Sequence, residues 1–256
     1  MGWFDIEKID DETYVISENK HYEETNIYYL IGEKFNVCID TGMGLYKLKS
    51  HLKEIDDKEI KVINTHYHWD HFGNNDQFEE IFMSEITKNK INQYDEEEKK
   101  KVKKLLIKNV DEKYIPPKKI VEKYAFFNPK NAKIIKDGDT IDLGNRKLKI
   151  LSTPGHTDDS VSVYDERGYI FIGDFMYEGE LWASTPDNDP VKYYQSLKRL
   201  NENYPELKGI YSGHFTPDLG ADYISKMFEI FSELKEKYLL KKGIGNYKKG
   251  SLEVIL

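Results

Sequence analysis

Glu59-Ile60-Lys61-Val62-Ile63-Asn64-Thr65-His66-Tyr67-His68-Trp69-Asp70-His71 is the stretch whose reading decides the fold. Its first six residues form an apolar, β-branched run through Ile60, Val62 and Ile63, which predicts a buried strand. Chemistry follows at once where that strand ends. His66 and His68 are two apart, so on an extended segment both side chains point the same way and can reach one metal. Asp70 and His71 come where the chain turns and can aim at a second.

Three further motifs repeat the arrangement of an apolar run followed by a ligand-type residue. Leu148 to Ser152 leads into Thr153-Pro154-Gly155-His156-Thr157. Tyr169-Ile170-Phe171-Ile172 leads into Gly173-Asp174. Gly209-Ile210-Tyr211 leads into Ser212-Gly213-His214. Strand ends are where α/β sheets place their chemistry, so these motifs could converge at one edge. Together they supply five imidazoles and two carboxylates, enough for two divalent metals with positions left open. The other two histidines, His21 and His51, lie outside every motif and read as surface or satisfied core residues.

With these motifs in this order, the chain resembles the metallo-β-lactamase-fold hydrolases from about Thr13 to about Ile230. The resemblance implies an α/β (α+β) fold, a four-layer αβ/βα sandwich with the metal site between two sheets. It implies that His66, His68 and His156 bind the first metal, that Asp70, His71 and His214 bind the second, and that Asp174 bridges them. Asp40, in Cys38-Ile39-Asp40-Thr41-Gly42, matches an acidic residue of the family on an earlier strand. Its implied role is to accept a hydrogen bond from a ligand histidine and fix its tautomer.

Departures within the family narrow the activity. The bridging aspartate favours the hydrolase branches over true β-lactamases. His68 argues against the flavin-dependent di-iron oxidoreductases, which carry glutamate there. No basic glutathione patch of the glyoxalase II type follows Asp174. Tyr177 stands three residues after Asp174, a spacing shared with the lactonase branch, and would donate a hydrogen bond to a developing oxyanion.

The expected function is a dinuclear hydrolase in which a bridging hydroxide cleaves a small ester, thioester or lactone, with Asp70 taking the nucleophile's proton. Alternatives are a small-molecule phosphodiesterase on the same fold and a metal-binding module without catalysis. Imidazole and carboxylate ligands without thiolate fit zinc best and also admit iron, manganese or cobalt.

Composition sets limits. The 256 residues suit a single domain spanning 1–256 and can bury a sizeable core. A formal charge of −8 disfavours nucleic-acid binding. The arginines are Arg146, Arg167 and Arg199 alone, and lysine is a poorer bidentate reader of anions, so no phosphate clamp is evident. The partner expected is therefore a small-molecule substrate. No stretch approaches the ~20 apolar residues of a membrane span, and the first residues lack the basic and apolar regions of a signal peptide. With Cys38 as the one cysteine, in an apolar strand, a cytoplasmic protein is the simplest expectation.

Strands are also predicted over Thr13–Ser17, Thr25–Ile31, Asn36–Asp40 and Ala132–Ile135. Helices are predicted over Leu45–Ile55, Phe72–Phe82, Asp189–Leu200 and Ala221–Leu240. Residues of about 85–125 differ in composition and read as a helical insertion, opened by Asp95-Glu96-Glu97-Glu98 and ended by Pro116-Pro117. It is either a solvated helix face or a lid. The tail from Gly243 carries no legible pattern.

Overall fold

The computed structural model describes residues 2–256. It is an α/β protein that divides into two compact units.

Unit 1 holds the chain up to Ile135 together with Asp142–Asn145. Its elements are β1 (Asp5–Asp10), β2 (Thr13–Ser17), β3 (Asn26–Leu30), β4 (Asn36–Ile39), α1 (Lys49–Ile55), β5 (Ile60–Ile63), β6 (Glu80–Met83), α2 (Glu85–Gln93), α3 (Glu96–Leu105), α4 (Lys118–Glu122) and β7 (Lys133–Ile134). The seven strands form one sheet in sequence order. β1 to β4 pair antiparallel; β4 to β7 pair parallel. A parallel strand covered on both faces has no polar side to show, and β4, Asn-Val-Cys-Ile, is buried throughout. Its core gathers Ile16, Ile27, Tyr29, Cys38, Leu52, Val62 and Phe72.

Three expectations need correction here. The segment Phe72–Phe82 is not a helix: a 3₁₀ turn at Asn75–Gln77 leads into β6. Phe78, Ile81 and Met83 bury, and pairing of Ile81 with Val62 extends the parallel sheet, which outweighs a short run's helical spacing. The helix expected from Leu45 begins only at Lys49; Leu45 and Leu48 are buried in the approach to it. Pro116-Pro117 does not end the helical segment, because α4 starts directly after Pro117, where proline's fixed φ suits a helix start. α3 does begin at the acidic run. Asp95 accepts from the Glu98 amide while the Glu98 carboxylate accepts from that of Asp95, a reciprocal cap.

Unit 2 holds Lys136–Ile141 and Arg146–Leu256. Its elements are β8 (Thr140–Asp142, the last residue counted with unit 1), β9 (Lys147–Ser152), β10 (Val161–Asp165), β11 (Tyr169–Phe171), β12 (Glu180–Trp182), α5 (Pro190–Asn203), β13 (Gly209–Tyr211), α6 (Tyr223–Glu236), β14 (Asn246–Lys249) and β15 (Leu252–Ile255). One sheet runs β13-β11-β10-β9-β8 and a second β12-β15-β14. β9 alternates, with Leu148 and Ile150 buried between exposed lysines. α5 starts as read from Asp189-Pro190, with the Asp189 carboxylate accepting from the Val191 and Lys192 amides. α6 buries Tyr223, Ile224, Met227, Ile230, Phe231 and Leu234 along one face, and it stops short of Leu240. Arg146 and Asp165 form an ion pair with both side chains fully buried. The tail that carried no pattern is the β14–β15 hairpin, joined in parallel to β12.

No helix among the described residues is long and apolar enough to cross a membrane.

Candidate metal centre

In unit 1 the ligand-type residues follow β5. The chain leaves the sheet at Asn64, and the next seven residues carry His66, His68, Asp70 and His71. The imidazole centroids of His66 lie 4.6 Å from His68 and 4.3 Å from His71. His66, Asp70 and His71 are buried and His68 is half-buried.

Asp40 organises this loop. It follows β4 with φ of +58°, a left-handed conformation that a side chain with a Cβ adopts at a cost. Its carboxylate accepts from the Thr65 amide (2.8 Å), the Thr65 hydroxyl (2.7 Å) and His71 Nδ1 (2.9 Å). Because the Thr65 hydroxyl gives its proton to Asp40, it accepts from His66 Nδ1 at 3.0 Å. Both imidazoles are thereby held in the tautomer with the proton on Nδ1, which leaves Nε2 as the nitrogen that can bind a metal. Asp40 thus contacts His71 directly and reaches His66 through Thr65. Around it, Asn64 donates to the His71 carbonyl (3.1 Å), Asn75 to Asn64 (2.7 Å) and Thr41 to Asn75 (2.7 Å).

One distance tests whether a cation fits. His71 Nε2 lies 3.5 Å from Asp70 Oδ2. With Nδ1 carrying the proton, these are two electron-rich atoms held close together, and a cation beside them converts the repulsion into coordination. The donors are nitrogen and oxygen without sulfur, as divalent zinc, iron or manganese require.

In unit 2 the cluster is built differently. Asp174 sits in a 3₁₀ turn, Gly173–Phe175, at the end of β11. The Gly213 amide donates to the Gly173 carbonyl (2.8 Å), which sets Ser212-Gly213-His214 beside it. Asp174 Oδ2 lies 3.1 Å from His214 Nε2 and 3.4 Å from His156 Nε2. The His156 loop is held by the start of α5: Asn188 donates to the His156 carbonyl (2.7 Å) and Ser196 to the Pro154 carbonyl (2.7 Å). Gly155 lies against Tyr193, whose ring a Cβ there would meet at 2.6 Å.

Tyr177 is half-buried in unit 2, its ring edge-on to His214 at 6.4 Å and to Phe215 at 6.0 Å. Its hydroxyl accepts from the Trp182 amide (3.3 Å), so its own proton is directed elsewhere. His21 and His51 behave as read. His21 is buried, with Nε2 at 3.0 Å from the Leu105 carbonyl and Nδ1 accepting from the Glu23 amide. His51 Nδ1 lies 3.1 Å from the Lys47 carbonyl.

Some contributors escaped the sequence reading. Glu18 is fully buried, accepting from Trp3 Nε1 (2.7 Å) and the Met43 amide (2.8 Å). Burial, with a smaller push from the charge of Asp70, raises its carboxyl to about 7 against the lowering effect of those two donors. Tyr193 and Tyr124 each bury a hydroxyl with no hydrogen-bond partner among the described residues. Thr65 does carry a local signal, since a hydroxyl immediately before a metal-type histidine is placed to orient it.

A family model described as the metallo-beta-lactamase superfamily matches residues 23–214, a span that takes in all seven ligand-type residues. The chain is similar to the acyl-coenzyme A thioesterase MBLAC2 of Homo sapiens, 28% identical over 251 residues, covering 88% of each chain. It is similar to a probable polyketide biosynthesis zinc-dependent hydrolase, BaeB, of Bacillus velezensis, 22% identical over 210 residues and 80% of each. Among solved structures, a metallo-beta-lactamase from Pontibacter korlensis matches with a TM-score of 0.66 at 20% identity, covering 90% of this chain and 99% of that one, which shows the fold. The chain belongs to the metallo-beta-lactamase superfamily.

Proposed function

We propose that this protein is a metal-dependent hydrolase of thioester or related carboxylic ester bonds. In this reading the seven residues act as one ligand set for two divalent ions: His66, His68 and His156 for one, Asp70, His71 and His214 for the other, and Asp174 shared. The observation that carries it is the Asp40–Thr65 ladder, which engages Nδ1 of His66 and of His71 and so leaves Nε2 of each as the nitrogen that would bind a metal. Such outer partners typically account for 10–100-fold in metal affinity or activity, and a protein with no use for a metal has no need of them. The names of two relatives, a thioesterase and a zinc-dependent hydrolase, support the same class.

When bound, the ions would supply Lewis acidity and lower the pKa of water to about 7, giving the nucleophilic hydroxide expected above. The chain's residues do the rest. Asp70 would take the nucleophile's proton and return it to the leaving group. Tyr177 would donate its hydroxyl proton to the oxyanion. Phosphodiesters are a poorer fit in unit 2, where Arg146 is spent on Asp165 and Arg199 on Asp137 (2.9 Å).

A panel of thioester, ester, lactone and phosphodiester substrates on zinc-loaded protein, with elemental analysis, tests the reading. Thioester turnover with two metals per chain is expected. Asp70→Asn should reduce turnover to background on every substrate. Tyr177→Phe should lower kcat about tenfold or more, since such donors contribute roughly 2.7–4 kcal/mol where they have been removed. One metal or none, or cleavage of phosphodiesters alone, would refute it.

A further inference from the structure

Glu18 directly follows β2 and is fully buried, yet no cation among the described residues pairs with it. Its two carboxylate oxygens accept from different donors, Oε1 from Trp3 Nε1 (2.7 Å) and Oε2 from the Met43 amide (2.8 Å). An ionised carboxylate offers both oxygens as acceptors, whereas protonation turns one of them into a hydroxyl. Burial opposes the ionised form, because a buried charge is stable only when it is paired or lies beside a metal. The hydrogen bonds and the burial therefore pull this side chain toward opposite protonation states.

Those hydrogen bonds lead to the ligand loop. Met43 belongs to segment 40–44, which is bonded on its other side to residues 71–74. The Thr41 amide donates to the His71 carbonyl (2.8 Å), the Gly73 amide to the Gly42 carbonyl (2.8 Å) and the Asn74 side chain to the Thr41 carbonyl (2.9 Å). Gly42 has φ of +68°, and a Cβ there would meet Glu18 Oε2 at 2.4 Å, so the carboxylate fits only behind a glycine. Trp3 closes the other side, buried and stacked on Tyr46 at 4.9 Å. The charges that reach Glu18 are those of Asp70, which disfavours its ionised form, and of His71, which favours it. The buried Tyr124 phenol lies within the same electrostatic reach.

We propose that Glu18 is a positioning residue of the metal centre, an anionic support for the ligand loop whose missing counter-charge is the divalent ion held through Asp70 and His71. The inference rests on the metal-dependent reading above. With an ion there, Asp70 is neutralised and Glu18 gains a positive charge within reach, so its carboxyl ionises and its proton leaves to solvent. The ionised carboxylate then accepts from Trp3 and Met43 without a competing hydroxyl, which holds segment 40–44 against residues 71–74. By linkage, the factor by which the metal favours ionised Glu18 is the factor by which ionised Glu18 favours the metal. A side chain with a merely structural role would support the loop equally at every pH.

Zinc affinity of the metal-stripped protein, measured against a chelating dye at two pH values, reads this without any hydrolysis. Glu18→Gln should bind zinc about tenfold more weakly than the parent at pH about 8, where the parent's carboxyl is ionised. The two should agree within about twofold at pH about 5.5, where that carboxyl is protonated. Carbon-13 NMR of the parent labelled at its glutamate carboxyls needs no variant. The Glu18 signal, expected to titrate at about 7 in the metal-free chain, should move down by about one pH unit or more with zinc bound. The same ratio of parent to variant affinity at both pH values, or a Glu18 titration unmoved by zinc, would overturn the inference. A parent that binds no zinc by elemental analysis would overturn the metal-dependent reading as well, so the two failures are distinguished.

Discussion

The ligand cluster of unit 1 and that of unit 2 use the same side chains but are held by different means. In unit 1 Asp40, Thr65, Asn64 and Asn75 form a continuous polar network that fixes the tautomer of two histidines. In unit 2 Asp174 faces both histidines directly, and the loops are set by main-chain bonds and by the packing of Tyr193 on Gly155. The histidines of the first cluster touch a network of side chains, and those of the second touch the Asp174 carboxylate.

Stripping the metal should break this comparison most visibly. An ion that binds only the folded state contributes about 4.1 kcal/mol at 1,000 times its Kd. Chelation should therefore lower the melting temperature by several degrees, and zinc should restore it. Hydrogen exchange should rise around His156 and His214 while Thr65–His71 stays protected. Equal loss of protection in both would mean that the polar network does not hold the loop on its own.

Glu18 offers the next largest effect. Its carboxyl is raised in the folded chain, so the folded state holds the proton more tightly than the unfolded one. That contribution is fully present below about 4.5 and is lost as pH rises through about 7, on the order of 3 kcal/mol. Metal-free protein should lose stability between pH 5 and 7.5, and Glu18→Gln should flatten the profile. A parent profile as flat as the variant's would show that the buried carboxyl does not titrate there.

The smallest effects compare the two supports directly. Asp40→Asn should weaken metal binding by about 10–100-fold, because it disturbs the tautomer of His71 and, through Thr65, of His66. Asn188→Ala, which removes one hydrogen bond to the His156 carbonyl, should cost about 1 kcal/mol of stability and shift metal affinity by less than threefold. Competition with a chelating dye would measure both, and similar losses would erase the distinction between the clusters.

How much of this was legible in the sequence follows from how local each signal is. His66-x-His68-x-Asp70-His71 and the later ligands each follow an apolar run within one segment, so the positions could be read with their strands. Asp189-Pro190 likewise declares a helix start on the spot. β6 was misread because Phe72–Phe82 contains apolar residues compatible with either period, and only the neighbouring strand β5 decides between them. The β14–β15 hairpin was invisible because it is short and is held by β12, some seventy residues earlier in the chain. Glu18 carried no signal in the sequence, since the Trp3 and Met43 donors that allow its burial are not adjacent to it.

Cys38 gives unit 1 a chemical clock. Its thiol is fully buried in β4, donates to the Asp40 carbonyl at 3.0 Å, and burial pushes its pKa well up. A thiol in that state does not react; the thiolate needed for alkylation forms only when the strand opens. Because the chain has a single cysteine, the labelling rate measures how often the strand that precedes Asp40 leaves the sheet. The same strand end anchors the ligand loop, so the rate of a simple alkylation reports the lifetime of the metal-ready state without a substrate, a spectroscopic metal or an introduced probe.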